Sequence, residues 1–249
     1  MTRPPRLEAL DGSPEAVRRL TPVGRLWYAA YGSNMHLDRL TCYLAGGRPH
    51  GGLRTYPGCR DPRRPLRTTP VMLPGLLYFA TESQVWTGGR AFYDPAPGRG
   101  LAPADGVPGR PGAHELPARA YLLTLSQFSD IAAQEMYREP GGDLDLTEAL
   151  TRGRSRIGPG RYETLVCAGL LDGYPVLTFT APWSSQDITV NPPSAACLRH
   201  IAAGIVASHG WSALRAASYL AGCPGAEGHW TAAEIAALLT GPPWPARAP

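Results

Sequence analysis

The run Leu26-Trp27-Tyr28-Ala29-Ala30-Tyr31-Gly32-Ser33-Asn34-Met35-His36 joins an apolar, strand-like segment to a helix-like one that begins at His36. A strand that turns through glycine into a helix start leaves several backbone N–H groups without intrahelical partners, and such a concavity suits a carboxylate or an oxyanion. Tyr31, Gly32, Ser33, Asn34 and Met35 are therefore candidate binding residues. A plainer reading of the same five residues is that Gly32 permits the turn and Ser33 or Asn34 caps the helix.

A second feature lies a hundred residues downstream. From Ser126, read as an N-cap, the segment to Glu135 places Phe128, Ile131 and Ala132 at three- and four-residue spacing. Glu135 falls on that same stripe, three residues after Ala132 and four after Ile131. A carboxylate that faces a core is costly unless it is paired, protonated or working. Two structural alternatives stay open: Glu135 ends the helix and meets solvent, or it pairs with Arg138.

Taken in order, the stretch Trp27 to Met35, then Thr87-Gly88-Gly89-Arg90-Ala91, then a Tyr-containing strand from Ala120 to Leu125 leading into Gln134-Glu135, resembles the γ-glutamylcyclotransferase family. The resemblance covers residues 25–220 and rests on the ordered set of motifs. It implies that Glu135 is the general acid/base, that Tyr31 to Met35 bind the γ-glutamyl part of a substrate, and that Tyr162 matches a family tyrosine after the catalytic helix. The implied reaction is intramolecular aminolysis of a γ-glutamyl amide, releasing 5-oxoproline and an amine without a cofactor. The chain departs from the family pattern in three places: Met35 stands where the loop usually carries Leu, a Gly/Pro-rich insertion spans 94–117, and a longer connection spans 136–160. Both insertions flank the implied site, so they bear on the substrate more than on the chemistry. A γ-glutamyl amidohydrolase and a non-catalytic binder of an acidic ligand are the alternatives.

The first part of the chain reads as strands over Arg25–Ala30, Leu73–Ala80, Gly89–Asp94, Ala118–Leu125, Tyr162–Leu170 and Tyr174–Thr180, with an Asp172-Gly173 turn making the last two a hairpin. Helices are expected over Leu37–Ala45, Ser126–Tyr137, Ser194 to Gly210, Ala213–Ala221 and Ala232–Thr240, with a shorter helical piece in Asp143–Thr151. This pattern fits an α+β fold: a mixed or antiparallel sheet curled into a small barrel, helices packed outside, and a helical C-terminal part over 194–240. One domain over 21–240 is expected, with flexible segments at 1–20 and 241–249.

At 249 residues and 43% hydrophobic content the chain is long enough for a full core. All 24 of its basic residues are Arg and none is Lys. That excludes Schiff-base chemistry, a lysine-anchored pyridoxal phosphate and a P-loop, and it fits the bias of a GC-rich bacterial genome. A net charge of +4 is too small to argue for nucleic acid. The densest basic run, Arg54, Arg60, Arg63, Arg64 and Arg67, has few aromatics between its charges and reads as a solvated loop. Five scattered cysteines, never spaced C-x-x-C, read as reduced thiols. No segment has the length and apolarity of a membrane span or a signal peptide, so a cytoplasmic monomer or homodimer is expected.

No metal site is expected from His36, His50, His114, His200, His209 and His229, which lack ligand-pair spacing on a helix; His200 is expected to project opposite the apolar stripe of its helix. Ser33 as a nucleophile is disfavoured, because Gly32-Ser33-Asn34 lacks the second glycine of a nucleophile elbow.

Overall fold

The computed structural model describes residues 3–96 and 115–241, so residues 97–114 of the expected insertion and 242–249 of the expected tail lie outside the described residues. Strand β1 (Arg25–Ala30) is buried from Leu26 to Ala30. A strand covered on both faces reads as an unbroken apolar run, which is why Leu26 to Ala30 shows no alternation. β1 pairs antiparallel with β5 (Glu115–Thr124), Arg25 opposite Thr124 and Ala30 opposite Arg119. On its other side it runs parallel to β8 (Tyr174–Thr180), Trp27 opposite Val176. With β2 (Arg67–Pro74), β6 (Arg154–Arg156) and β7 (Thr164–Leu171) the order is β2-β5-β1-β8-β7-β6, a six-stranded mixed sheet. The β7–β8 turn has φ of +51° at Asp172 and +77° at Gly173, the double positive φ that matches a tight hairpin to strand twist.

The single strand expected over Leu73–Ala80 is two strands. Gly75, at φ +115°, breaks it into the end of β2 and the start of β3 (Leu76–Ala80), and any Cβ there would run into the carbonyl oxygen of Asp94. This bend leads the chain out of the large sheet into a separate ribbon with β4 (Arg90–Asp94). The expected closed barrel is not found among the described residues. Among the described residues the large sheet is open, ending at β2 and β6, and the ribbon is a second sheet that meets β8 where the Thr180 hydroxyl accepts from Tyr93 N and donates to Tyr93 O. The architecture is α+β with a mixed sheet.

Residues 1–20, expected to be flexible, instead carry structure where they are described. Glu8 exchanges backbone hydrogen bonds with Leu170 on β7, at 2.9 and 2.8 Å. Ser13 caps helix α1 (Pro14–Leu20), whose Val17 is buried. Helix α2 (Leu37–Ala45) follows β1, and α3 (Leu125–Glu135) follows β5. The cap of α3 is Thr124 rather than Ser126: its hydroxyl accepts from Gln127 N while the Gln127 side chain accepts from Thr124 N, a reciprocal capping box. The short α4 (Thr147–Arg152) lies within the 136–160 connection. Helices α5 (Ala195–His209), α6 (Ala213–Ala221) and α7 (Ala232–Thr240) start at caps Ser194, Ser212 and Thr231.

Helix α5 forms the seat for the turn after β1. A Cβ on Gly204 would collide with the Met35 side chain and would lie 2.6 Å from Met35 C and 2.8 Å from His36 N. The turn therefore rests directly on helix backbone, and Met35, fully buried, fills the joint. Gly204→Ala should lower the unfolding free energy by about 1–3 kcal/mol through overpacking, even though alanine is about 1 kcal/mol better than glycine inside a helix. Urea denaturation checks this, and a stabilised variant would contradict the close seat.

Candidate active site

After β1 the chain makes one three-ten turn, Ser33–Met35, closed by Met35 N to Gly32 O at 3.0 Å and His36 N to Ser33 O at 3.2 Å. Its carbonyls are held from behind. The Tyr121 hydroxyl lies 2.9 Å from both Asn34 O and Met35 O, donating to one at a time, and Arg119 Nη1 donates to Met35 O at 3.3 Å. Such a turn leaves its first N–H groups, those of Ser33 and Asn34, without partners inside the turn. Gly32 has φ −99°, which any residue can adopt, so glycine is not there to permit the turn; the constraint is space, since a Cβ would sit 3.3 Å from Ala91 Cβ.

Glu135 is the last residue of α3, half-buried, and its Oε1 accepts from Asn34 Nδ2 at 3.0 Å. The same amide group donates to the Tyr28 hydroxyl at 3.1 Å. A carboxylate partner sets the amide orientation, leaving Asn34 Oδ1 buried and without a hydrogen-bond partner. The ion pair considered for Glu135 and Arg138 does not form: Arg138 Nη2 bonds Glu163 Oε1 instead. Gln134 holds the helix end in place, donating to Tyr43 O at 3.2 Å and to Asp130 O at 3.1 Å. Farther up α3, the fully buried Asp130 accepts from Arg60 N at 2.8 Å and Arg60 Nε at 3.0 Å. One arginine of the supposed solvated run is thus a tether.

Tyr31, Gly32, Ser33, Asn34, Glu135 and Tyr162 line one small cleft. Met35, named with them from sequence, is corrected: its side chain lies in the core against α5 and does not reach the cleft. The Tyr31 hydroxyl donates to Phe179 O at 2.9 Å and that of Tyr162 to Ala91 O at 3.0 Å. Burial, with the Glu135 carboxylate adding to it, pushes both phenols well above their ordinary range, so they serve as neutral walls and donors. Cys197 also lines the cleft, and burial pushes its thiol up to about 12, which makes it a poor nucleophile.

Sequence reasoning missed Arg39. Only 2% exposed, it lines the same cleft and donates from Nη2 to Tyr43 OH and Tyr56 OH, both at 2.8 Å. Its guanidinium lies 4.2 Å from the Tyr43 ring centre and 4.4 Å from that of Tyr56. Burial works against the charge, but Tyr43, Tyr56 and Glu135 outweigh it and hold Arg39 ionised. The signal was in the sequence: Arg39 shares a helix face with Cys42 and Tyr43, the same charge-on-an-apolar-stripe pattern that singled out Glu135.

Among the described residues no group of three or more His, Cys, Asp or Glu is placed to hold a metal ion, and no helix is long and apolar enough to cross a membrane. No family model matches the chain. Over 211 residues it is 29% identical to histone deacetylase 5 of Arabidopsis thaliana, a match that takes in 78% of this chain and spans 30% of the length of that protein. Two solved structures overlay on 87% of the chain. One is an uncharacterized protein from Homo sapiens, at TM-score 0.45 and 15% identity over 99% of its chain. The other is a γ-glutamyl cyclotransferase, at TM-score 0.42 and 14% identity over 98% of its chain. At such TM-scores neither likeness decides the reaction.

Behind the turn lies His200, expected on the polar side of α5 but found 1% exposed. Its Nε2 is 3.1 Å from His50 O and its Nδ1 is 3.2 Å from His36 Nδ1. Burial pulls its pKa down to about 2, the His50 carbonyl opposes this, and His36 and Arg39 add to it. An unfolded histidine titrates near 6.5, so between these values the unfolded chain binds the extra proton. Stability should therefore fall as pH drops below about 6.5, by up to about 1.4 kcal/mol per pH unit from this group. His200→Gln should flatten that slope between pH 6.5 and 4.5 (urea midpoints measured across the range); parallel curves for the two proteins would contradict it.

Proposed function

We propose that the cleft cleaves a γ-glutamyl amide by intramolecular aminolysis, releasing 5-oxoproline and an amine. The observation that carries this reading is the Asn34–Glu135 hydrogen bond, which brings a carboxylate and a turn with spare N–H donors to one cleft. The substrate supplies its own nucleophile. Its α-amine attacks the γ-carbonyl carbon, a five-membered ring closes, and the bond to the leaving nitrogen breaks. One proton must leave the attacking amine and one must reach the departing amine, so a single carboxyl group that takes the first and returns it balances the reaction. Glu135 has that role. Asn34 Oδ1, buried and unpartnered, is an acceptor for the α-ammonium group beside it. The N–H groups of Ser33 and Asn34 face a carboxylate or the developing oxyanion, and Tyr31 and Tyr162 wall the cleft against water. The chemistry needs positioning and proton transfer, with no redox or electron-sink step.

Glu135→Gln keeps the shape and removes the proton carrier, so turnover should fall by about a hundred- to ten-thousand-fold while ligand still binds. Ser33→Ala should retain partial activity, because the main chain supplies the donors there. Mass spectrometry of a γ-glutamyl amide panel, run beside N-acetylated analogues, checks both. The acetylated amides should be inert, since their nucleophile is blocked. A Glu135→Gln variant within a few-fold of wild type would end the assignment.

A further inference from the structure

Just past Glu135 the chain turns on a tyrosine where glycine is usual. Arg138 N donates to Ala133 O at 2.8 Å and Tyr137 N to Gln134 O at 3.1 Å, the two bonds of a Schellman turn. Tyr137 takes the left-handed position of that turn, at φ +61°. Glycine fills such a position without strain, whereas a bulky side chain is costly there. Strain of this kind persists where the surroundings hold the residue, and it gathers at functional sites. The Tyr137 ring is held: the guanidinium of Arg54 lies 3.9 Å from its centre and that of Arg161 4.2 Å. Two like charges that close to one ring centre take opposite faces, so the ring is clasped from both sides. It also lines the cleft, half-buried, two residues beyond the proposed proton carrier.

The two arginines come from different parts of the chain. Arg54 lies between α2 and β2, and Arg161 directly follows the 136–160 connection. That connection leaves α3 through Tyr137 and returns to stack on it. Its ends are tied a second time at Glu163, where Arg138 Nη2 donates to Oε1 and Gly160 N donates to Oε2. Tyr162, next to Arg161, lines the cleft as well. The insertion is thus fastened to the rim of the site at both of its ends.

With the glutamyl part on the turn and the departing nitrogen at Glu135, the wall just beyond Glu135 borders the leaving part of the substrate. We infer that the clasped ring of Tyr137 is the wall that limits the bulk of the amine the cleft accepts. This rests on the γ-glutamyl amide reading and adds a specificity-determining residue to it. A ring stacked on both faces does not swing aside for a larger ligand, and steric exclusion of this kind needs no hydrogen bond from the phenol.

The test compares γ-glutamylethylamide with γ-glutamylneopentylamide, whose amines are similar in basicity and differ in girth. Wild type should favour the ethyl compound in kcat/KM by about tenfold or more. Tyr137→Gly suits the backbone and removes the wall, so the ratio should fall several-fold toward one. Tyr137→Phe keeps the ring and its clasp and should keep the wild-type ratio. A wild-type ratio near one, a ratio that survives in Tyr137→Gly because both rates fall together, or a ratio lost in Tyr137→Phe overturns the inference. Should Tyr137→Gly fail to fold, Tyr137→Asn, which tolerates the same φ, decides on the same ratio. The proposed reaction itself falls if wild type cyclises no amide of the panel. In that case, or if it cyclises neither of these two, calorimetric titration with the pair decides the Tyr137 assignment. Tighter binding of the ethyl compound, with the gap closed in Tyr137→Gly, supports it; equal binding, or none, overturns it.

Discussion

A hydrogen bond from Asn34 to Glu135 spans 101 residues of chain, and the site exists only where its two ends are brought together. Each end is held by other parts of the fold. On one side the three-ten turn rests on the bare backbone of α5 at Gly204 and hangs by its carbonyls from Tyr121 and Arg119. On the other, α3 is fixed at its start by the Thr124 capping box, in its middle by Asp130 with Arg60, and at its end by Gln134. Because β1 and β5 are neighbouring antiparallel strands, the turn leaving β1 and the body of β5 meet at the same edge, which puts Tyr121 beneath the turn. Under the proposed mechanism, a shift of about 1 Å between the two ends would separate the proton carrier from the groups that orient the substrate.

The interior next to that bond is unusually charged and aromatic. Arg39, Tyr28, Tyr43 and Tyr56 all feel the Glu135 carboxylate: the arginine is held ionised and the phenols are held neutral, with burial the larger cause for each phenol. Such a cluster is a poor way to gain stability, since desolvation of buried ions cancels much of their attraction. It is a good way to hold donors and acceptors stiffly where a zwitterionic ligand brings matching charges. The unpartnered atoms, Asn34 Oδ1 with Arg39 Nε and Nη1, are one acceptor and two donors, all buried, on two residues that line the same cleft. Water-excluded polar groups of this kind are the expected cost of a site arranged for a ligand rather than for the empty protein.

Much of this was legible in the chain. Continuous apolar runs and strong caps gave β1, α2, α6 and α7 their observed bounds, and Asp172-Gly173 marked its hairpin, because these signals are local. Glu135 stood out as a charge on an apolar stripe and the residues from Tyr31 to Asn34 as a strand turning through glycine into a helix start, and the structure brings them to one cleft. What could not be read depended on distant contacts. The break at Gly75 is forced by the close approach of Asp94, which no local pattern reports. Met35 turned inward because Gly204, far along the chain, opened a socket for it, and His200 was buried by His36 and His50 arriving from elsewhere. Arg39 was missed for a different reason: it carried the same signal as Glu135, a charge on an apolar helix face, and was not singled out.

The proposed reaction requires that the substrate's own amine, rather than water, opens the amide. Running the reaction in oxygen-18 water and weighing the acid product separates the two. Aminolysis predicts 5-oxoproline with no heavy oxygen, since its ring carbonyl oxygen is the one the γ-glutamyl group brought with it. Free glutamate carrying one oxygen-18 atom in its side-chain carboxyl group would contradict the account and make the cleft that of a hydrolase.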